Sequence, residues 1–513
     1  MTAVMGIDVG TGGLRAIVID AESGRVMGAA TSDYPLSTPQ PLWGEQDPAH
    51  WWQAARQAIP QALSRSGVRA QELAGLGLTG QMHGLVLLDE QQAVIRPAIL
   101  WLDQRTAREC EAIHERVGLE RLRAITCNPA LTGFTAPKLL WVKEHEPQAF
   151  ARTRHVLLPK DYLRFMLSGA FATDVADASG TLLLDVPRRT WSGELLELLE
   201  IPAAWLPSVH EGPEVVTRVS EAGAAATGLP AGLPIVAGGG DQAAGGVGNG
   251  IVRPGLVSCT IGTSGVLFAA TERPQPDARG ALQAFCHSVP GMWHVMGVTQ
   301  GAGLSLRWVR DHLGDAEAAV AARLGADAYD LLTREAESAP PGCEGLLFLP
   351  YLMGERAPHL DPHARGGWIG LTARHDRAAL IRSVMEGVAY SLRDCLELLR
   401  QAGVAVTDIR ASGGGARSPL WRQLQADVFG LPVTQLESAE GPAFGAALLA
   451  GVGAGIYPDV ASACERTIHE AGRLTPDAAR QRTYEAYYDV YRTFYPALAG
   501  QFRRLAQLDS PTA

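Results

Sequence analysis

Two segments with the same layout, one near the start of the chain and one just past its middle, limit the possible folds more than any other feature. Residues 4–20 (VMGIDVGTGGLRAIVID) and residues 255–270 (GLVSCTIGTSGVLFAA) each read as an apolar strand, a glycine-rich turn and a second apolar strand. Aligning DVGTGGLRAIVI with TIGTSGVLFAAT places Gly10 and Thr11 on Gly262 and Thr263. Such turns offer backbone N–H groups and a hydroxyl to an anion. Neither is a Walker loop, because GK[ST] is missing, and neither is a dinucleotide fingerprint, because a strand follows rather than a helix. A lone GTGG is most simply a tight hairpin, but its repetition implies a duplicated α/β fold. Two copies could then hold one polyphosphate from opposite sides of a cleft.

Residues 233–246 (LPIVAGGGDQAAGG) stand where the first copy gives way to the second. An apolar strand runs into three glycines and ends on Asp241 beside Gln242. A carboxylate there faces a ligand crevice if the strand end is functional, or caps the following helix if it is not. Gly238–Gly240, Gly245 and Gly246 are candidate hinge positions. Asp8, two residues before the first turn, would face the same mouth as that turn.

Other strand ends add polar groups. Gln81, Met82 and His83 form the tip between two apolar runs, a set that suits a small polyol or a satisfied loop histidine. Asp103 and Arg105 follow a short strand and could contact a ligand or pair with each other. Gly301 and Gly303 open a helix after residues 298–300, and residues 412–418 (SGGGARS) repeat the pattern of strand, triple glycine and helix. The loop after Leu349 carries Glu355 and Arg356. Apolar spacing over 376–401 predicts a long buried helix, and Thr475-Pro476 are expected to cap a C-terminal helix. Its tyrosines 484, 487, 488, 491 and 495 share one face and read as packing.

Composition sets the outer bounds. At 513 residues the chain is long enough for two domains, and 47% hydrophobic with 19% charged residues describes a globular protein. A formal charge of −10 argues against nucleic acid or an anionic membrane as partner. Seven cysteines occur without a CxxC pair, which fits reduced thiols and a cytoplasmic location. No signal peptide is visible, nor an apolar run of the roughly 20 residues that a membrane span needs.

Taken with these segments, residues 133–145 (GFTAPKLLWVKEH) and the stretch from Gly366–Leu371 to Ser383–Gly387 carry a resemblance over nearly the whole chain. The sequence resembles the FGGY family of carbohydrate kinases, within the group of actin-like ATPases. Two departures stand out: Ala379 where a polar residue is usual in the second signature, and Leu102 where an asparagine commonly follows the tryptophan. The resemblance implies two duplicated actin-like (ribonuclease H-like) ATPase domains with an interdomain catalytic cleft. Residues 1–245 would hold the sugar, the first phosphate loop and the base. Residues 246–513 would hold the nucleotide, the second phosphate loop and the C-terminal helix.

The resemblance also implies roles for single residues. Asp241 is the expected catalytic base, with Asp8 the other catalytic carboxylate; both are the expected Mg2+ residues. Gln81, Met82, His83, Asp103 and Gln242 are expected at the sugar. Gly10, Thr11, Gly12, Gly262, Thr263, Gly303, Gly414, Gly415 and Ser418 are expected at ATP. The implied reaction moves a phosphoryl group from Mg-ATP to the 5-hydroxyl of D-xylulose in a cytoplasmic homodimer. The alternatives are another ketopentose or pentitol (ribulose, arabitol, xylitol), or a non-catalytic module that senses ATP and sugar.

Overall fold

The computed structural model describes residues 2–437 and 440–509. The chain forms two compact units. The first takes the described residues up to Arg253 together with Ala270–His294 and Glu440–Ile468. The second takes Pro254–Ala269, the described residues of 295–439, and those from His469 onward.

Each unit is built on a sheet of the same plan. In the first, the strands lie in the order Val26–Asp33, Gly13–Asp20, Ala3–Val9, Leu73–Gly80, Pro234–Val236 and Val215–Arg218. The two strands of the opening hairpin are antiparallel, Ala3–Val9 and Leu73–Gly80 run parallel, Pro234–Val236 joins in parallel, and the edge strand is antiparallel. In the second, Gly265–Thr271, Gly255–Ile261, Val406–Gly413, Val433–Leu436 and Glu470–Leu474 follow one another in that order. Their directions repeat the series: antiparallel hairpin, parallel, parallel, antiparallel edge. The duplication expected from the two glycine turns is thus visible strand by strand.

Period-two alternation sorts the first strand between two cores. Ala3, Met5, Ile7 and Val9 join Trp51, Ile59 and Leu63 of helix Pro48–Ser66 on one face. Val4 joins Phe444, Leu448 and Leu449 of helix Gly441–Gly453 on the other. Gly6 and Gly77 belong to this second face, and a Cβ on either would stand 1.9 Å from a carbonyl oxygen of that helix, Ala443 O or Ala446 O. Glycine is required there because the helix lies directly on the strands. Asp8 follows Gly6 on the same alternation, at the carboxyl end of its strand.

Helices start where a side chain can reach the free N–H groups. Asp47 caps Pro48–Ser66 and Asp376 caps Arg377–Gln401 through their carboxylates. The C-terminal helix Ala478–Asp509 departs from expectation. Its first N–H groups, those of Ala479 and Arg480, go to Asp477 and not to Thr475-Pro476, because an Asp carboxylate one residue before the helix is in reach of both. Tyr484, Tyr488 and Tyr491 of this helix are buried, as a packing stripe should be. Among the described residues no helix is long and apolar enough to cross a membrane. All seven cysteines are buried, and none is in a disulfide.

Candidate active site

Strand register assembles the first half of the site. Gly239 and Gly240 pair with Thr79 and Gly80, and these in turn pair with Asp8 and Val9. Three strands therefore end side by side, and the residues that follow them, Asp241, Gln81 and Gly10, emerge at one edge. Asp241 opens helix Asp241–Gly248 with Gly240 as its N-cap, so the carboxylate belongs to the first helical turn and does not itself cap. The positive end of the helix favours its ionised form.

Asp8 and Asp241 are close enough to feel each other's charge. Burial pushes the Asp8 carboxyl up to about 7, the charge of Asp241 adds to this, and Arg15 opposes it. Asp241 is pushed up to about 6 by burial, against hydrogen bonds from the side chain and main chain of Gln242. The Gln242 amide nitrogen donates to Asp241 Oδ1 at 3.3 Å. Arg15, the cross-strand partner of Asp8, is itself engaged by Glu440 through a two-pronged ion pair, with Nη2 to Oε1 at 2.6 Å. Asp8 Oδ1 is buried without a hydrogen-bond partner among the described residues. Two crowded carboxylates, one with an orphaned oxygen, form a hard-oxygen donor set that fits Mg2+.

The tip after Leu73–Gly80 is held in a constrained conformation. His83 has φ of 68°, and its Nδ1 lies 2.7 Å from Gly180 O. Met82 fills the space beside Gly240 and Gly180: a Cβ on Gly240 would stand 2.7 Å from Met82 Cγ, and one on Gly180 would stand 3.1 Å from Met82 Cε. Met82 and His83 are thereby brought beside Gly240, the residue preceding Asp241. Gln81 is buried and serves the turn, accepting from Thr11 Oγ1 at 3.2 Å and donating to Gln46 Oε1 at 3.0 Å.

The first glycine turn is braced from several sides. Gly10 N donates to Gly13 O, closing the hairpin as Gly262 N does to Ser264 O in the second copy. Tyr34 donates to Gly10 O at 2.5 Å, Gln46 Nε2 to Thr11 O at 2.7 Å, and Trp101 Nε1 to Thr11 Oγ1 at 2.9 Å. Gly12 stays open, with nothing within 4 Å of where a Cβ would stand. Of the two roles open to Asp103 and Arg105, the structure displays the mutual pairing. Both Asp103 oxygens accept from Arg105, and Oδ2 also accepts from Gly44 N. Asp103 is fully buried in this pairing, and Arg105 stacks over Trp43 at 3.5 Å.

The second unit holds a cavity of about 270 Å³, lined among others by Gly262, Thr263, Gly303, Gly414, Gly415 and Ser418, all six of the nucleotide-type positions expected in this half. Its walls depend on missing side chains. A Cβ on Gly303 would stand 2.3 Å from Gly262 O, and one on Gly415 would stand 2.6 Å from Ile261 Cβ. Gly303 N donates to Gly262 O and Leu304 N to Thr263 O, which ties the start of helix Ala302–Leu313 to the glycine turn. Ser418 caps helix Pro419–Phe429 by accepting from Trp421 N at 3.2 Å. Asp327, Tyr329 and Asp330 also line the cavity and carried no local signal in the sequence. Gln46, Trp101 and Tyr34 were equally silent, since each reaches the first turn only through the tertiary fold.

Both halves have counterparts among known proteins. Residues 3–248 match the FGGY family of carbohydrate kinases, N-terminal domain, and residues 257–454 match its C-terminal domain. A xylulose kinase of Escherichia coli (strain K12) is 41% identical over 496 residues, covering 96% of this chain and 99% of that protein. One from Bacillus subtilis (strain 168) is 39% identical over 495 residues, covering 96% and 97%. The crystal structure of xylulose kinase from Rhodospirillum rubrum superposes with a TM-score of 0.89 at 32% identity, covering 98% of this chain and all of that one. With both family domains matched and relatives similar over nearly their whole length, the chain belongs to the FGGY family of carbohydrate kinases.

Proposed function

We propose that this chain transfers the γ-phosphoryl group of ATP to the 5-hydroxyl of D-xylulose, giving D-xylulose 5-phosphate and ADP. The observation that carries the reading is the placement of Asp241: a carboxylate with a raised pKa at a strand end, one residue beyond the Gly240 surface on which Met82 packs. The relatives named xylulose kinases support the choice of sugar. Residues 1–245 act as the sugar part and 246–513 as the nucleotide part.

Phosphoryl transfer needs in-line placement, charge neutralisation and a proton acceptor. In this reading Asp241 takes the proton of the 5-hydroxyl as the new O–P bond forms and the bond from the γ-phosphorus to the bridging oxygen of ADP breaks. Gln242 holds Asp241 in orientation. Met82 and His83 position the sugar, while Gln81 and Asp103 brace the segments that carry the pocket. Gly10, Thr11 and Gly12 in one turn, and Gly262 and Thr263 in the other, offer N–H and hydroxyl donors to phosphate oxygens. Gly303, Gly414, Gly415 and Ser418 hold the nucleoside end. Asp8, with Asp241 beside it, would hold Mg2+, which when bound neutralises phosphate charge and draws electron density from the transferring group. Buried cysteines outside any disulfide suit a reducing cytoplasm. A homodimer is the proposed assembly, to be read by sedimentation.

A coupled ADP-release assay with Mg-ATP over D-xylulose, L-xylulose, both ribuloses, glycerol, arabitol and xylitol tests the proposal. Preference for D-xylulose, and a loss of at least ~10²-fold in Asp241→Ala, is the expected result. Preference for another polyol with the same loss would retain the mechanism and replace the sugar. A fully active mutant would refute the base assignment, and no sugar-stimulated ADP release by the wild type would favour a sensor.

A further inference from the structure

We infer that Lys138 is a positioning residue for the sugar: it sets sugar affinity by holding the main chain of His83. The inference rests on the proposed role of Met82 and His83 at the sugar. Lys138 is fully buried, and its Nζ donates to His83 O at 2.8 Å and to Gly133 O at 2.7 Å. Thr135, one turn earlier on helix Thr135–His145 and also fully buried, donates its hydroxyl to the same His83 O at 3.1 Å. Spacing of three residues puts both donors on one face of the helix, so its first turn grips a single carbonyl from another part of the chain.

The choice of partners separates Lys138 from an ordinary buried lysine. Among the described residues it forms no ion pair. Asp103, the carboxylate whose charge acts on it most, already has both oxygens taken by Arg105 and Gly44. Burial holds the Lys138 amine well below the usual lysine range. An amine buried without a counter-ion is costly and persists where its hydrogen bonds hold something in place. Here that object is a residue in a conformation disfavoured for any side chain with a Cβ, His83 at φ of 68°. Strained backbone at a site survives when surrounding contacts over-determine it. Lys138 and Thr135 fix the His83 carbonyl, Gly180 O fixes the ring through Nδ1, and Gly240 leaves room for Met82. Of these, Lys138 supplies the shortest bond to the carbonyl.

The test is steady-state kinetics on the full-length kinase carrying Lys138→Met, Thr135→Val, both, or His83→Ala, with D-xylulose and ATP varied in turn. Lys138→Met is expected to raise KM for D-xylulose roughly ten- to hundredfold, as loss of a charge-assisted or buried hydrogen bond does, with KM for ATP within about twofold. The double mutant should show less than the product of the two single effects, because both donors serve one carbonyl. His83→Ala tests the underlying reading: if it leaves KM for the sugar unchanged, the sugar role of this tip is wrong. If His83→Ala raises that KM and Lys138→Met does not, the inference is overturned. A rise in both KM values together, with a lowered melting temperature, would make Lys138 merely structural and also overturn it. Should Lys138→Met fail to fold, Thr135→Val decides, since it removes one donor to the same carbonyl: a selective rise in sugar KM supports the inference, and no change refutes it.

Discussion

Asp8→Asn should stabilise the metal-free protein while it removes activity, and the gain should depend on pH. Burial, helped by the charge of Asp241, pushes the Asp8 carboxyl up to about 7 in the fold, against 3.8 for a free aspartate. A group raised in the folded state binds its proton more tightly there, so its stabilising effect is complete below the unfolded value and is lost as pH rises through the folded one. Between these limits the loss is about 1.4 kcal/mol per pH unit, or roughly 4 kcal/mol in all. By pH 5 only about 1.5 kcal/mol has gone; by pH 8 nearly all of it has. Asparagine keeps the shape and carries no charge to bury, so its advantage at pH 8 should exceed that at pH 5 by roughly 2–3 kcal/mol. Urea unfolding of wild type and mutant in chelator at the two pH values measures this. An equal gain at both, or none at pH 8, would show that the aspartate is not held against its charge and would remove the electrostatic argument for a cation beside it.

The pH profile of kcat/KM should show an acid limb. Asp241 must be ionised to accept a proton, so the rate should fall as pH drops through about 6, and the limb should move lower at higher Mg2+ as the cation favours the ionised forms. Gly303→Ala would drive a Cβ into Gly262 O and should raise KM for ATP at least about tenfold with little change for the sugar, read in the same coupled assay. Gly77→Ala would place a Cβ 1.9 Å from Ala446 O, and the helix must shift to admit it. A loss of about 3 kcal/mol in urea unfolding is expected; a neutral result would mean that the helix does not lie on the strand as described.

Much of the site could be read from local pattern because its residues sit at strand ends beside glycine. Asp8, Asp241, Met82, His83 and the two Gly-Thr turns belong to this kind: apolar alternation marks each strand and glycine marks where it stops. Asp103 is legible only as half of a choice, since a nearby Arg105 suits a ligand and an ion pair equally well. The bracing groups are another matter. Gln46, Trp101 and Tyr34 act across tens of residues, and nothing in their own neighbourhoods points to that reach; Lys138 lies in a segment that carries the family resemblance, but its hold on His83 is not visible there. Thr475-Pro476 looked like a helix start because such pairs often are one, but Asp477 lay closer to the free N–H groups and took them.

The sequence by itself determined the duplicated α/β plan, because strand, turn and strand are local events and the same local code occurs twice. It also determined which residues could carry the chemistry, since carboxylates and glycines at strand ends declare themselves by type and position. Only the tertiary structure decided that helix Gly441–Gly453, some 430 residues after the first strand, lies on that strand through Gly6 and on its neighbour Leu73–Gly80 through Gly77. Only it decided that Asp8 is buried, with the charge of Asp241 acting on it, so that its carboxyl pKa is raised, and that His83 is held by a lysine 55 residues further along. The physical reason is one of range: backbone hydrogen bonding and side-chain alternation act over a few residues. Desolvation, charge coupling and close backbone approach depend on which distant segments the core brings together.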